Sequence, residues 1–202
     1  SNAMEELSNF AIKHNIPVTQ TVMGYSTMKR DHSHYAGQIG GLGGKNTNDL
    51  AKETDLAIAV GTKLADFTTG SWANFENENF KLLSINVSRF DANKHLAQAV
   101  VGDAKVSLIE LSKALGDWKV GDEWNQKSQR ELKIWNEHID KESAPTNQEI
   151  PSYIQVIGAI YRNSDPTDIA VTAAGGLVGE VVQVWRPKEL NTHESEWGFS
   201  CM

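Results

Sequence analysis

The run Leu56-Ala57-Ile58-Ala59-Val60-Gly61 constrains the fold more than any other stretch of the chain. It is apolar at every position, so it presents no solvent face, and glycine stops it; both features mark a parallel strand buried on two sides. Such a strand needs helices on both faces of its sheet, and the flanking sequence alternates accordingly. Residues 4–14 place Leu7, Phe10, Ala11 and His14 at helical spacing and end at Asn15, and residues 16–22 read as a strand. Asn46 or Thr47 offers a side-chain oxygen to cap a helix running to about Thr54. Residues 81–87 and 98–101 read as further strands. Asp103 caps an amphipathic helix in which Ala104, Leu108, Leu111 and Leu115 share one stripe.

The pattern changes at Gly116. Residues 117–141 are polar and carry Trp118, Trp124 and Trp135 without a strand, which suits a linker and a surface helix. A second α/β unit begins near Gln148, with Pro151 in the first turn of a helix carrying Tyr153, Val156, Ile157 and Ile160. Residues 168–173 are its strand, Gly175-Gly176 ends it, and residues 177–185 start a new helix. The break at 116–147 is the best domain boundary.

Composition excludes several classes. The 202 residues carry a formal charge of −7 and no Lys/Arg stripe, which argues against nucleic acid, since phosphate binding needs clustered cations. The longest near-continuous apolar runs, 56–60 and 178–182, fall far short of the ~20 residues of a membrane-spanning helix. Ser1-Asn2-Ala3 ahead of Met4 reads as the scar of an expression tag, and no secretion signal follows it. The single cysteine, Cys201, cannot form an internal disulfide, which fits a reducing cytoplasm.

The loop from Tyr35 to Asn46 holds five of the 16 glycines. It misses the P-loop pattern, with Ile39 and Asn46 where glycine and Ser/Thr are required, and the dinucleotide pattern, which needs a glycine at 46. A tight structural loop is favoured over a phosphate cradle. Asp31-His32-Ser33-His34 and His193-Glu194 with Glu196 lack a further ligand cluster, so no metal site is expected. Residues 173–180, Ala-Ala-Gly-Gly-Leu-Val-Gly-Glu, stand at the carboxyl end of a strand, where open α/β sheets place ligands, and read equally well as a plain turn.

Several stretches taken together resemble one family. They are the run from Val60 to Trp72 (VGTKLADFTTGSW), Asn86-Val87 with Phe90-Asp91-Ala92-Asn93-Lys94-His95, Asp103-Ala104-Lys105-Val106, the 173–180 run, and the closing Gly198-Phe199-Ser200-Cys201-Met202. The resemblance is to the trihydroxycyclohexanedione hydrolases, thiamine diphosphate enzymes of myo-inositol catabolism, and covers nearly all of residues 4–202. The strand-and-glycine plan is shared with acetolactate synthases.

The resemblance implies a fragment with a parallel-sheet, Rossmann-like α/β fold of the NAD/FAD-binding type. Residues 1–3 are then the tag scar, 4–116 the middle domain without its first strand, 117–147 a linker and surface helix, and 148–202 the start of the diphosphate-binding domain. Gly175, Gly176 and Leu177 match the turn beside the cofactor. Ser200, Cys201 and Met202 match the turn that accepts from its aminopyrimidine, with Met202 as the wedge behind its bent form. The catalytic glutamate belongs to an N-terminal domain outside the chain. The Mg²⁺ site opens with Gly-Asp-Gly in the family, whereas Gly-Asp at 102, 116 and 121 is followed here by Ala104, Trp118 and Glu123. The chain alone is therefore expected to bind neither thiamine diphosphate nor Mg²⁺ and to be inactive, while the parent takes a cyclic diketone and assembles as a homo-oligomer. The alternatives are a self-standing FAD or NAD module, an acetolactate-synthase-like fragment, and an oligomerisation scaffold.

Overall fold

A computed structural model describes residues 2–173 and 175–195. The parallel α/β architecture is present, as three small sheets whose every strand pair is parallel. Helix α1 (Met4–His14) stops where Asn15 turns left-handed at φ 54°, its amide returning to the Ala11 and Ile12 carbonyls. The strand expected over 16–22 shortens to β1 (Val18–Gln20), because residues 22–24 coil into a 3₁₀ turn capped by the Thr21 hydroxyl. Its partner β2 (Tyr35–Gln38) lies inside the segment that reads as a glycine loop, and all four of its residues are buried.

Helix α2 (Lys45–Glu53) is capped by Gly44 rather than by Asn46 or Thr47. Both of those side chains turn instead to the Ala36 carbonyl on the outer edge of β2, at 3.4 and 2.9 Å. β3 (Leu56–Val60), β4 (Lys81–Asn86) and β5 (Gln98–Val101) form a sheet in that order. β3 is therefore an edge strand among the described residues, and Leu56 is 48% exposed; only Ala59 of the strand is buried, so the expectation of burial on both faces is not met along its length. One face of this sheet packs Ile58, Val60 and Ile85 against Phe10 of α1 and Leu108 of α5 (Ala104–Leu115). The other carries Ala57, Ala59 and Leu82 beneath Leu64, Trp72 and Phe80. Asp103 caps α5 as expected, accepting from the amides of Lys105 (2.9 Å) and Val106 (3.2 Å).

Helix α6 (Asp122–Glu142) is more than a surface helix. Leu132 enters a core with Ala11, Met28 and Tyr35, and two turns on Ile139 enters another with Ile157, Val181, Val184 and Trp185. The stretch before it is tied down through His14, whose ring nitrogens meet the Trp118 carbonyl (2.6 Å) and the Ser112 hydroxyl (2.9 Å). α7 (Tyr153–Arg162) begins with a Ser152/Gln155 capping box. It is followed by β6 (Ala170–Thr172), α8 (Val178–Val184) and β7 (His193–Ser195), and β7 pairs with β6.

Candidate functional site

The turn from β6 into α8 stands at the carboxyl end of its strand, as anticipated for Gly175, Gly176 and Leu177. Gly175 adopts φ +108°, which L side chains rarely tolerate, and a Cβ there would meet nothing within 4 Å. Gly176 lies next to the Tyr153 ring, 3.5 Å from where its Cβ would be, and Leu177 is 42% exposed. The turn is thus open on one side and anchored on the other, since Val178, Val181, Val182 and Val184 just after it are all buried. The charged side chain in the first turn of α8 is Glu180, which complements the helix dipole but repels a phosphate. Ser200, Cys201 and Met202 lie outside the described residues.

The glycine loop abuts this unit. The Gln183 side chain donates to the Leu42 carbonyl and accepts from the Trp135 indole at 2.8 Å, and Gly179 faces Leu42. The loop's amides are spent on the protein itself. Gly40 donates to Asn48 Oδ1, Gly41 to the Phe67 carbonyl, Gly43 to Gly40 and Gly44 to Gln38. A phosphate cradle needs such amides free, so the structural reading accounts for the loop.

Of the two histidine clusters, one includes Glu196, which lies outside the described residues. Among the described residues no group of three or more His, Cys, Asp or Glu side chains is placed to hold an ion. His34 is buried against Asn15 Oδ1 (3.1 Å), its own amide donates to His32 Nδ1 (3.1 Å), and burial lowers the pKa of both rings. His193 sits in β7 edge-on to Tyr25, 4.7 Å between centroids, and burial lowers its pKa to about 4.

Sequence reasoning missed the polar cluster around Tyr25. The Tyr25 hydroxyl donates to the Val182 carbonyl (2.9 Å), with the Trp185 carbonyl also in reach, and burial drives its pKa upward. Arg30 donates to the Tyr35 hydroxyl (2.7 Å) with its guanidinium carbon 5.1 Å from that ring's centre. These contacts clamp the 22–35 segment onto α8 across more than 150 residues of sequence, and no local spacing announces them.

Residues 1–111 match the family described as thiamine pyrophosphate enzyme, central domain. Curated relatives named 3D-(3,5/4)-trihydroxycyclohexane-1,2-dione hydrolase align with the whole chain. The protein of Clostridium tetani (strain Massachusetts / E88) is 35% identical over 228 aligned positions. That of Geobacillus thermodenitrificans (strain NG80-2) is 35% identical over 223, and that of Bacillus anthracis (strain CDC 684 / NRRL 3495) is 32% identical over 226. In each case the chain spans 35% of the relative's length.

Proposed function

The chain belongs to the thiamine pyrophosphate enzyme central-domain family, and from that premise we propose that it forms part of a hydrolase that opens trihydroxycyclohexane-1,2-dione to 5-deoxyglucuronic acid. The observation that carries the reading is the alignment of all 202 residues with hydrolases of that name, past the end of the central-domain match at 111. Residues 4–116 are the middle domain and 148–202 the start of the diphosphate-binding domain, with 117–147 between them. Among the described residues the edges of β1 and β3 are unjoined and both are flanked by α1, which supports a place there for a further strand of the complete protein.

Opening a carbon–carbon bond beside a carbonyl leaves an electron pair that no side chain can hold, and a bound thiazolium ring supplies that sink. The residues described fit such a group on one side only. The open backbone at Gly175 and Gly176 offers a wall, yet Glu180 carries the same sign as a diphosphate, and the described residues include no ligand set for a balancing cation. We therefore derive no step through the cofactor from these residues. Gly175, Gly176 and Leu177, with Ser200, Cys201 and Met202, would border it in the complete protein, which would also supply the catalytic glutamate and the Mg²⁺ ligands. That protein is read as a cytoplasmic homo-oligomer acting on a cyclic diketone. Among the described residues no helix is long and apolar enough to cross a membrane.

The test is to assay the 202-residue chain for ring opening and, by calorimetry, for thiamine diphosphate binding in the presence of Mg²⁺. Neither is expected. Turnover by this chain alone would overturn the reading.

A further inference from the structure

We propose that a groove at one end of the β3–β5 sheet, bordered by the Trp72 and Phe80 side chains that pack over one of its faces, carries a second binding site, for a planar aromatic small molecule bearing one anionic group. It lies at the amino ends of β4 and β5, away from the strand carboxyl ends at which an open α/β sheet usually takes its ligand, and it does not rest on the hydrolase reading.

The site exists because the crossovers over this face are abbreviated. Helices α3 (Asp66–Thr69) and α4 (Arg89–Ala92) have four residues each, about one turn or 6 Å, against a six-residue β4 of about 20 Å. With Leu64, Trp72 and Phe80 they cover the middle of the sheet but leave the amino ends of β4 and β5 short of cover. What remains is a groove of about 560 Å³ lined chiefly by Trp72, Phe80, Lys81, Leu82, His95 and Leu96. That volume lies within the range of small-molecule sites.

Three independent observations give the ligand its chemistry. The Trp72 and His95 rings lie 4.4 Å apart and are tilted 57° to each other, making an aromatic corner against which a flat ring can pack. Lys81 is an exposed cation with no ion pair among the described residues, and no carboxylate lines the groove in a chain of net charge −7. The two rims are held in strained backbone: Ser71, Trp72, His95 and Leu96 have φ of +53°, +72°, +61° and +57°. Three of the eight non-glycine residues with positive φ among those described line this groove and Ser71 adjoins it, and the Leu96 side chain is fully exposed. Strain of this kind persists where the surroundings impose it, and it concentrates at ligand sites. Trp72 and His95 also close two of the sequence runs singled out above.

The probe is 2-naphthoate, with neutral 2-naphthamide as its isostere, titrated into the 202-residue chain labelled with ¹⁵N at the tryptophan indoles; Trp72→Phe identifies the Trp72 signal among the six. Naphthoate should shift that signal saturably and bind about fivefold more tightly than naphthamide, the upper range for an exposed ion pair. Lys81→Gln, a change at an exposed position, should bring naphthoate down to the affinity of naphthamide. No Trp72 shift up to millimolar naphthoate, shifts confined to other tryptophans, or an unchanged preference for naphthoate in Lys81→Gln would each overturn the proposal.

Discussion

Gly43 has no room for a side chain. A Cβ there would lie 2.3 Å from the Gln38 carbonyl oxygen and 2.7 Å from the Ile39 carbonyl carbon, and neither backbone atom can swing aside. Gly43→Ala should therefore lower unfolding stability by about 3 kcal/mol in a urea titration. Leu96 is the opposite case. Its side chain is wholly exposed and its φ of +57° suits glycine, so Leu96→Gly should raise stability by about 1 kcal/mol in the same measurement. His193 sets an acid limit. The unfolded chain takes up a proton at the ordinary histidine pKa of about 6.5, while the folded chain resists until about pH 4, so stability falls as pH drops through that window and is untouched above it. The His193 share should be on the order of 2 kcal/mol at pH 4. His193→Gln, which stays neutral, should flatten that limb of the stability curve, leaving the same-signed but smaller contributions of His32 and His34. The purpose of the glycines in the 35–46 loop is legible from residue type, because failed phosphate patterns leave backbone packing as their use. The depressed pKa of His193 is not, since it arises from burial against Tyr25, far away in sequence.

At the scale of elements, α6 joins two cores, and its two ends can be loosened separately. Leu132→Ala opens a cavity beside Ala11, Met28 and Tyr35, and Ile139→Ala opens one beside Ile157, Val181 and Trp185. Each should cost about 3 kcal/mol of local stability. Amide hydrogen exchange should rise across α7 and α8 for Ile139→Ala while β3–β5 stay protected; faster exchange in that sheet would contradict the division into two cores. The helices α1 and α5 are legible to within a residue because local signals define them, an apolar stripe with Asn15 in one case and the Asp103 cap in the other. β2 is not, because its Gly37 and the glycines after it carry a turn signature, while its burial comes from α2 and α6 folding over its outer edge. β7 is equally hidden, being a short polar strand defined only by pairing with β6 across some twenty residues. Residues 175–177 fall between β6 and α8, a placement legible in the sequence because an apolar strand stopped by two glycines leaves few other arrangements.

For the whole molecule, the central proposal is that these residues form part of a thiamine diphosphate hydrolase like the relatives they align with. The open turn at Gly175 and a span of 35% of the relatives' length accord with it. The measurement that bears most directly on it is a chimera in which this sequence replaces the matching third of the Clostridium tetani hydrolase. It should be assayed for ring opening of 3D-(3,5/4)-trihydroxycyclohexane-1,2-dione with and without thiamine diphosphate. The account predicts turnover that depends on the cofactor. A chimera that folds and binds thiamine diphosphate yet leaves the ring closed would contradict it.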